Sequence, residues 1–255
     1  MPGLVLLIDR SDLSRIIYHA LAKEFPIDAV IREAKPARSI LLRRRLKRLG
    51  WPTVLGQLAF TAFLMPVLRR EASPRRAELL LQYGLDDSAI PSKNVNDVPS
   101  ANDPQTIALL KTLLPQLVIV NGTRILRETV LNATSAIFLN THVGITPLYR
   151  GVHGGYWALA SGHPELFGVT IHKIDRGIDT GEIIAQACLN PAASDNFCTY
   201  PLLQIASAIP LLKAAIRNAL DGSLRCIPPP AGRSKLWTHP TASQYLKRRI
   251  AHDIR

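Results

Sequence analysis

Asn140, Thr141 and His142 stand at the end of a short apolar run, Ala136 to Leu139. In an extended chain, residues i and i+2 point to the same side. The spacing therefore sends an amide and an imidazole the same way at the carboxyl end of a strand, where open α/β sheets place their ligands. Further on, Asp175-Arg176-Gly177-Ile178-Asp179-Thr180-Gly181 is a glycine-punctuated loop between two strand-like runs, with two carboxylates. Amide, imidazole and carboxylate together suit acyl-type transfer without a covalent intermediate. When an amine attacks a carbonyl, an Asn amide and a protonated His can donate hydrogen bonds to the oxyanion that forms. A carboxylate can orient the imidazole, raise its pKa or take up a proton through water. A serine nucleophile would need a G-x-S-x-G elbow, which the sequence lacks. Cys188, Cys198 and Cys226 form no CxxC pair, so neither a disulfide scaffold nor a cysteine-rich zinc module is expected. His142 has no HExxH-like companion, and no metal is expected there.

Positioning those groups takes a sheet. Leu4 to Ile8 and Ile27 to Ile31 are strand-like and flank a helix-like segment from Ser11 to Lys23, which reads as a βαβ unit. The turn Asp9 to Asp12 holds no glycine, so the dinucleotide fingerprint is absent and no NAD is expected. Leu117 to Val120, Ala136 to Leu139, Phe167 to Ile174 and Glu182 to Leu189 add strands. Ser88 to Pro104 is rich in Pro, Asn, Ser and Asp and reads as a loop. Helices are predicted from about Pro104 to Leu114, within Gly151 to Gly162, and through Ile209, Leu212, Ile216 and Leu220. The expected class is α/β: a Rossmann-like, mostly parallel open sheet with flanking helices, occupying residues 1–225. Pro228 to Gly232 reads as a linker into a short basic tail, 226–255.

The formal net charge is +12, and the stretch from Arg32 to Arg76 carries most of it, with 12 basic and 2 acidic residues. Leu42, Leu46 and Leu49 form a narrow stripe on a helix otherwise made of Arg43, Arg44, Arg45, Lys47 and Arg48. Trp51 to Leu68 then runs without a charge. A helix of that length barely reaches across a bilayer core. A true span would also put strands of one sheet on opposite sides of a membrane. A basic helical insertion over about 32–76, with a buried or interfacial helical hairpin, is expected instead. Its charge and apolar content together suit an anionic membrane surface. The rival expectation buries Trp51, Leu55, Leu58, Phe60, Phe63 and Leu64 in the core or in a homodimer interface. Nucleic acid is not an expected partner, since the basic run lacks interleaved aromatics. The start of the chain lacks the basic n-region and cleavage site of a secretory signal. With few cysteines, the expected setting is the cytoplasm, with the basic insertion making the chain peripheral at the inner face of the membrane.

The order Leu-Asn-Thr-His at 139–142, Ile-Thr-Pro-Leu-Tyr-Arg-Gly at 145–151 and Gly-Val-Thr-Ile-His through Asp179-Thr180-Gly181 resembles the folate-dependent formyltransferases. That family includes glycinamide ribonucleotide, methionyl-tRNA and nucleotide-sugar enzymes. The resemblance implies a catalytic trio of Asn140, His142 and Asp179. It implies a co-substrate, 10-formyltetrahydrofolate, with Gly122, Arg124, Ile125 and Leu126 along the pterin pocket and Pro147, Gly151, Asp175 and Gly177 in the loops around it. It also implies a small-molecule amine as acceptor. Three departures bear on which amine. Gly144-Ile145-Thr146-Pro147 replaces the usual Ser-Leu-Leu-Pro, the glycine-rich phosphate loop of the purine enzymes is missing after the first strand, and too little chain follows Ser223 for the C-terminal barrel of the tRNA enzymes. By elimination, an amino sugar on a nucleotide or lipid carrier is the expected acceptor. The alternatives are a phosphoribosylglycinamide formyltransferase-type purine enzyme and an inactive folate-binding or membrane-associated protein of the same fold.

Overall fold

The computed structural model describes residues 3–252 and 254; Met1, Pro2, Asp253 and Arg255, counted in the expected domain and tail, lie outside the described residues. Strand β1 (Leu4–Ile8) leads into α1 (Asp12–Ala22), whose N-cap Ser11 accepts a hydrogen bond from the Ser14 N–H, and then into β2 (Ala29–Glu33). Three helical segments follow: α2 (Arg38–Leu49), α3 (Trp51–Ala59) and, after a π-helical turn over Phe60–Leu64, α4 (Met65–Gln82). Next come β3 (Val95–Val98), α5 (Pro104–Leu113), β4 (Leu117–Asn121), α6 (Glu128–Leu131) and β5 (Ile137–His142). The chain ends with β6 (Arg150–Gly151), α7 (Gly154–Ala160), β7 (Gly168–Lys173), β8 (Ile183–Cys188), α8 (Tyr200–Leu220), β9 (Leu236–Trp237) and α9 (Ala242–His252).

Seven strands form one sheet in the order β3-β2-β1-β4-β5-β7-β8. The first five are parallel, and β7 and β8 each run antiparallel to the neighbour before them. Parallel strands need crossovers, and covering helices bury both faces. Leu4, Leu6 and Ile8 accordingly enter one core cluster with α1, α4 and α8, while Val5 and Leu7 enter a second with α5 and α6. The chain moves outward from β1 in both directions, so the carboxyl ends of β1 and β4 bound a switch point. β3, inside the stretch read as a loop, is a polar edge strand, Val-Asn-Asp-Val, whose Asp97 pairs with Arg32 and Arg10. Apolar periodicity cannot reveal such a strand. Asp103 caps α5 by accepting from the Gln105 N–H at 3.0 Å. Asp103→Ala should cost about 1 kcal/mol, read as a lower melting temperature.

The helical region expected over about 32–76 runs from Arg38 to Gln82. The hairpin expected within Trp51 to Leu68 does not form. The chain turns instead at Gly50, with φ of 76°, and residues 51–82 continue as one helix. Pro52 sits in the first turn, where its missing N–H is not needed. The wider π turn just ahead of Pro66 absorbs the break that proline would make in an α-helix. Phe60, Leu68, Ala72 and Leu79 are buried against the domain, and Arg75 pairs with the buried Asp195 at 2.9 Å. Of the apolar residues whose burial was the rival expectation, Phe60 is buried and Leu64 half-buried, but Trp51, Leu55, Leu58 and Phe63 are exposed.

The segment read as a linker and short basic tail returns across the domain. Leu236–Trp237 pair in parallel with Arg150–Gly151, and the Trp237 ring stacks on Tyr149 and Trp157. Tyr245 of α9 is buried edge-on to Phe60.

Candidate active site

The last three residues of β5 are Asn140, Thr141 and His142 themselves, and alternation along the strand turns Asn140 and His142 into a common cavity. Its volume is about 660 Å³, within the usual range for small-molecule sites. It opens at the switch point, between the loops after β1, β4 and β5. The Asp179 loop closes one side.

Asp179 is the hub. Its Oδ2 lies 3.5 Å from His142 Nδ1 and accepts the Gly151 N–H at 2.8 Å, while Oδ1 lies 3.7 Å from His172 Nε2. The backbone at Asp179 has φ of 51°, a left-handed conformation unusual outside glycine. Arg150 braces it by donating to the Ile178 carbonyl at 3.0 Å. Burial would raise the Asp179 pKa, but His172 and His142, which carry positive charge once protonated at the acid pH where this carboxyl titrates, and the Gly151 N–H outweigh it and hold the carboxyl down at about 2. Asp179 is therefore a fixed negative charge at neutral pH.

His142 is buried, and its Nε2 donates to the Tyr149 carbonyl at 2.7 Å. Burial lowers its pKa, against the opposing pull of Asp179 and of that carbonyl. The neutral ring then carries its proton on Nε2 and turns Nδ1 toward Asp179. That nitrogen can take up a proton next to a carboxylate ready to stabilise the result. Gly144 stands where the resemblance expects Ser. A Cβ there would lie 2.6 Å from the Tyr149 carbonyl oxygen and 2.8 Å from His142 Nε2, so this close contact requires glycine.

His172, which was not among the site residues expected from sequence, faces Asn140 across the antiparallel β5–β7 pair. Its Nδ1 donates to the Lys173 carbonyl at 2.7 Å, which leaves Nε2 to accept from Asn140 Nδ2 at 3.0 Å. That bond fixes the amide while its second N–H has no partner among the described residues. The arrangement thus holds one free amide donor, one proton-accepting imidazole and one fixed carboxylate within a few ångströms. That set can stabilise an oxyanion and collect a proton. Among the described residues, no three His, Cys, Asp or Glu side chains gather to hold a metal.

Gly122, Arg124, Ile125, Leu126, Gly151, Asp175 and Gly177 all line the cavity, as the resemblance expects. Gly122 has φ of 70°, and a Cβ there would lie within 2.7 Å of the Asp9 carboxyl group. Arg124 is occupied in holding its own loop, with its guanidinium donating to the Ala34 and Pro99 carbonyls. Asp175 accepts from the Gly177 N–H and the Thr180 hydroxyl and so shapes the turn. Pro147 does not line the cavity; its carbonyl accepts from the Lys235 N–H and helps seat β9. Val120, Leu126 and Ile174 give the cavity apolar lining beside the 122–126 loop. Two walls were not foreseen as part of the site. One is α2, through Leu41, Arg44, Arg45 and Arg48; the other is the returning tail, Leu236 to His239.

A sheet of this order, with a ligand cavity at its switch point and an amide–imidazole–carboxylate cluster, defines an α/β group-transfer architecture. Residues 66–199 match the formyl transferase family model, and the chain belongs to that family. A methionyl-tRNA formyltransferase from Azobacteroides pseudotrichonymphae is 34% identical over 125 residues, covering 49% of this chain and 38% of that protein. The chain thus spans well under two thirds of that curated relative. Among solved structures, the phosphoribosylglycinamide formyltransferase of Streptococcus pneumoniae superposes with a TM-score of 0.54 at 21% identity, covering 87% of this chain and 99% of that one. An N-formyltransferase from Helicobacter canadensis, solved with folinic acid and dTDP-3-aminofucose, gives 0.55 at 16% identity, covering 93% and 71%. At these identities the superpositions speak for a shared fold.

Proposed function

We propose that the protein transfers a formyl group from 10-formyltetrahydrofolate to a primary amine, an amino sugar on a nucleotide or lipid carrier. The observation that carries this reading is the convergence of Asn140, His142 and Asp179 on one cavity, His142 and Asp179 being 3.5 Å apart. The folate supplies an activated formyl carbon. Gly122 to Leu126 hold its ring system, Asn140 donates to the carbonyl oxygen as the amine attacks and negative charge builds there, and His142 takes the amine proton with Asp179 beside it. As the oxyanion collapses, the bond from the formyl carbon to the folate N10 breaks, and that nitrogen takes up the proton and leaves as tetrahydrofolate. The folate seen with the Helicobacter canadensis enzyme supports the choice of co-substrate, and its amino-sugar nucleotide supports the acceptor class. The test incubates the protein with 10-formyltetrahydrofolate and a panel of amines: amino-sugar nucleotides, glycinamide ribonucleotide and methionyl-tRNA. A chelator is present and no NAD is added. A gain of one formyl mass on an amino sugar is the expected result; exclusive formylation of another amine would reassign the acceptor.

A second reading concerns place. Trp51, Leu55, Leu58, Phe63 and Val67 form one exposed apolar face of the 51–82 helix, and Arg43, Lys47, Arg69 and Arg70 flank it. By length and composition this helix could cross a membrane, but its second half is tied to the domain through Leu79 and the Arg75–Asp195 pair. Docking on an anionic membrane surface, at the inner face of the cell membrane, satisfies both its apolar and its basic residues. Attraction of about 1 kcal/mol per basic residue near such a surface makes several Lys and Arg sufficient for reversible binding. Sedimentation with anionic vesicles should exceed that with neutral ones and weaken as salt is raised. Equal recovery with both, together with a dimer in light scattering, would assign the face to a homodimer instead.

A further inference from the structure

Resting on the formyl-transfer reading, we propose that α2 and the returning tail build an anion subsite for a phosphate or diphosphate carried by the amine acceptor. Leu41, Arg44, Arg45 and Arg48 recur at i, i+3, i+4 and i+7, so they share one face of α2, and all four line the cavity that holds Asn140 and His142. None of the three arginines has an ion pair or side-chain hydrogen bond among the described residues. Arg32, Arg75 and Arg76 are paired, with Asp97, with Asp195 and with Asp12 and Asp87; Arg43 of the same helix is as unpaired as the three but does not line the cavity. Three unpaired guanidinium groups on a cavity wall suit a polyanion, because their planar forks match phosphate oxygens in pairs.

The neighbouring wall is polar as well. Gln57 of α3 and His239 of the tail both line the same cavity, and the Gln57 Nε2 ties them together by donating to the His239 carbonyl at 2.6 Å. This wall also answers a question left by the first strand. The turn Asp9 to Asp12 has no glycine-rich phosphate loop, and its Asp9 carboxylate is held by the Ser11 and Ser14 hydroxyls. Phosphate recognition moves to α2, on the other side of the cavity.

The test measures binding without chemistry, by calorimetry, with pyrophosphate and a nucleoside diphosphate as probes and no folate present. Wild type should bind both, more weakly at higher salt. Arg44→Gln/Arg45→Gln/Arg48→Gln should weaken binding by about tenfold or more. Arg43→Gln/Lys47→Gln, which removes charge from the same helix outside the cavity lining, should leave binding within about twofold. Circular dichroism and melting temperature check that both variants fold. No binding by wild type, or equal weakening in the two variants, would overturn the subsite. A vesicle arm separates a soluble phosphate from a lipid headgroup. The triple variant should still sediment with anionic vesicles; losing vesicles while keeping pyrophosphate would assign these arginines to lipid and overturn the proposal. Formyl transfer is scored separately: diphosphate binding without transfer to any amine would sink the catalytic reading and leave the subsite standing.

Discussion

Asp179→Ala is expected to cut turnover about a hundredfold or more, the scale on which removal of a charge-stabilising group from a transition state is felt. The carboxylate is held near a pKa of about 2, so it is charged at any pH where the protein would work. It meets His142, His172 and the Gly151 N–H at once, so its loss removes the charge that favours a proton on His142 and releases the loop from β6. Asp179→Asn keeps the volume but not the charge. It should still lose most of the turnover, and the lower limb of the pH–rate profile should move toward acid, because a proton on His142 becomes harder to hold. Asn140→Ala and His142→Ala should fall comparably, while folate binding largely persists in the Asn140 variant. The check is single-turnover kinetics beside a folate titration. Turnover within a few-fold of wild type in all three variants would remove this cluster from the chemistry.

The second large effect is on stability. His153 of the α7 N-terminus and His239 of the tail share a 2.8 Å contact inside an aromatic cluster of Phe60, Phe197, Tyr156 and Tyr245. Burial lowers the His153 pKa to about 3 and the His239 pKa to about 4, with the Arg45 charge pressing both the same way. The unfolded chain takes up protons at these histidines below about pH 6.5, while the folded chain resists until about pH 3–4. Stability is therefore fully present above about pH 6.5 and falls as the pH drops toward about 4. His142, also lowered by burial, adds to this window. Asp179 acts lower: its contribution is present above about pH 4 and lost as the pH falls toward its folded value of about 2. Denaturant melts at pH 7 and pH 4.5 should differ strongly for wild type and less for His239→Gln. Parallel pH curves for the two proteins would contradict the assignment.

The parallel centre of the sheet was legible because β1, β4 and β5 are continuous apolar runs, as strands buried on both faces must be. β3 was not, because an edge strand that spends its Asp97 on arginines carries no apolar signal. The continuity of residues 51–82 was hidden by Pro52 and Pro66, whose cost is absorbed by first-turn position and by the π turn, and local rules do not anticipate that. In the site, the order and spacing of Asn140, His142 and Asp179 were readable from sequence. His172 was seen only as a packed residue, because its contact with Asn140 depends on the register of an antiparallel pair. The basic helix and its narrow leucine stripe were visible. The structure leaves Leu42 and Leu46 exposed and places Arg44, Arg45 and Arg48, themselves exposed, along the cavity. Periodicity defines the faces of a helix, but the tertiary fold decides which one lines the cavity.

The central claim is a transfer, so the most direct measurement follows the carbon. Wild type is given 10-formyltetrahydrofolate labelled with carbon-13 in the formyl group, together with an amino-sugar nucleotide, and the products are read by nuclear magnetic resonance. The account predicts a labelled formamide on the sugar appearing as fast as tetrahydrofolate is released, with both slowed about a hundredfold or more in the Asp179→Ala protein. Label recovered only as formate, or left entirely on the folate with every amine offered, would contradict it.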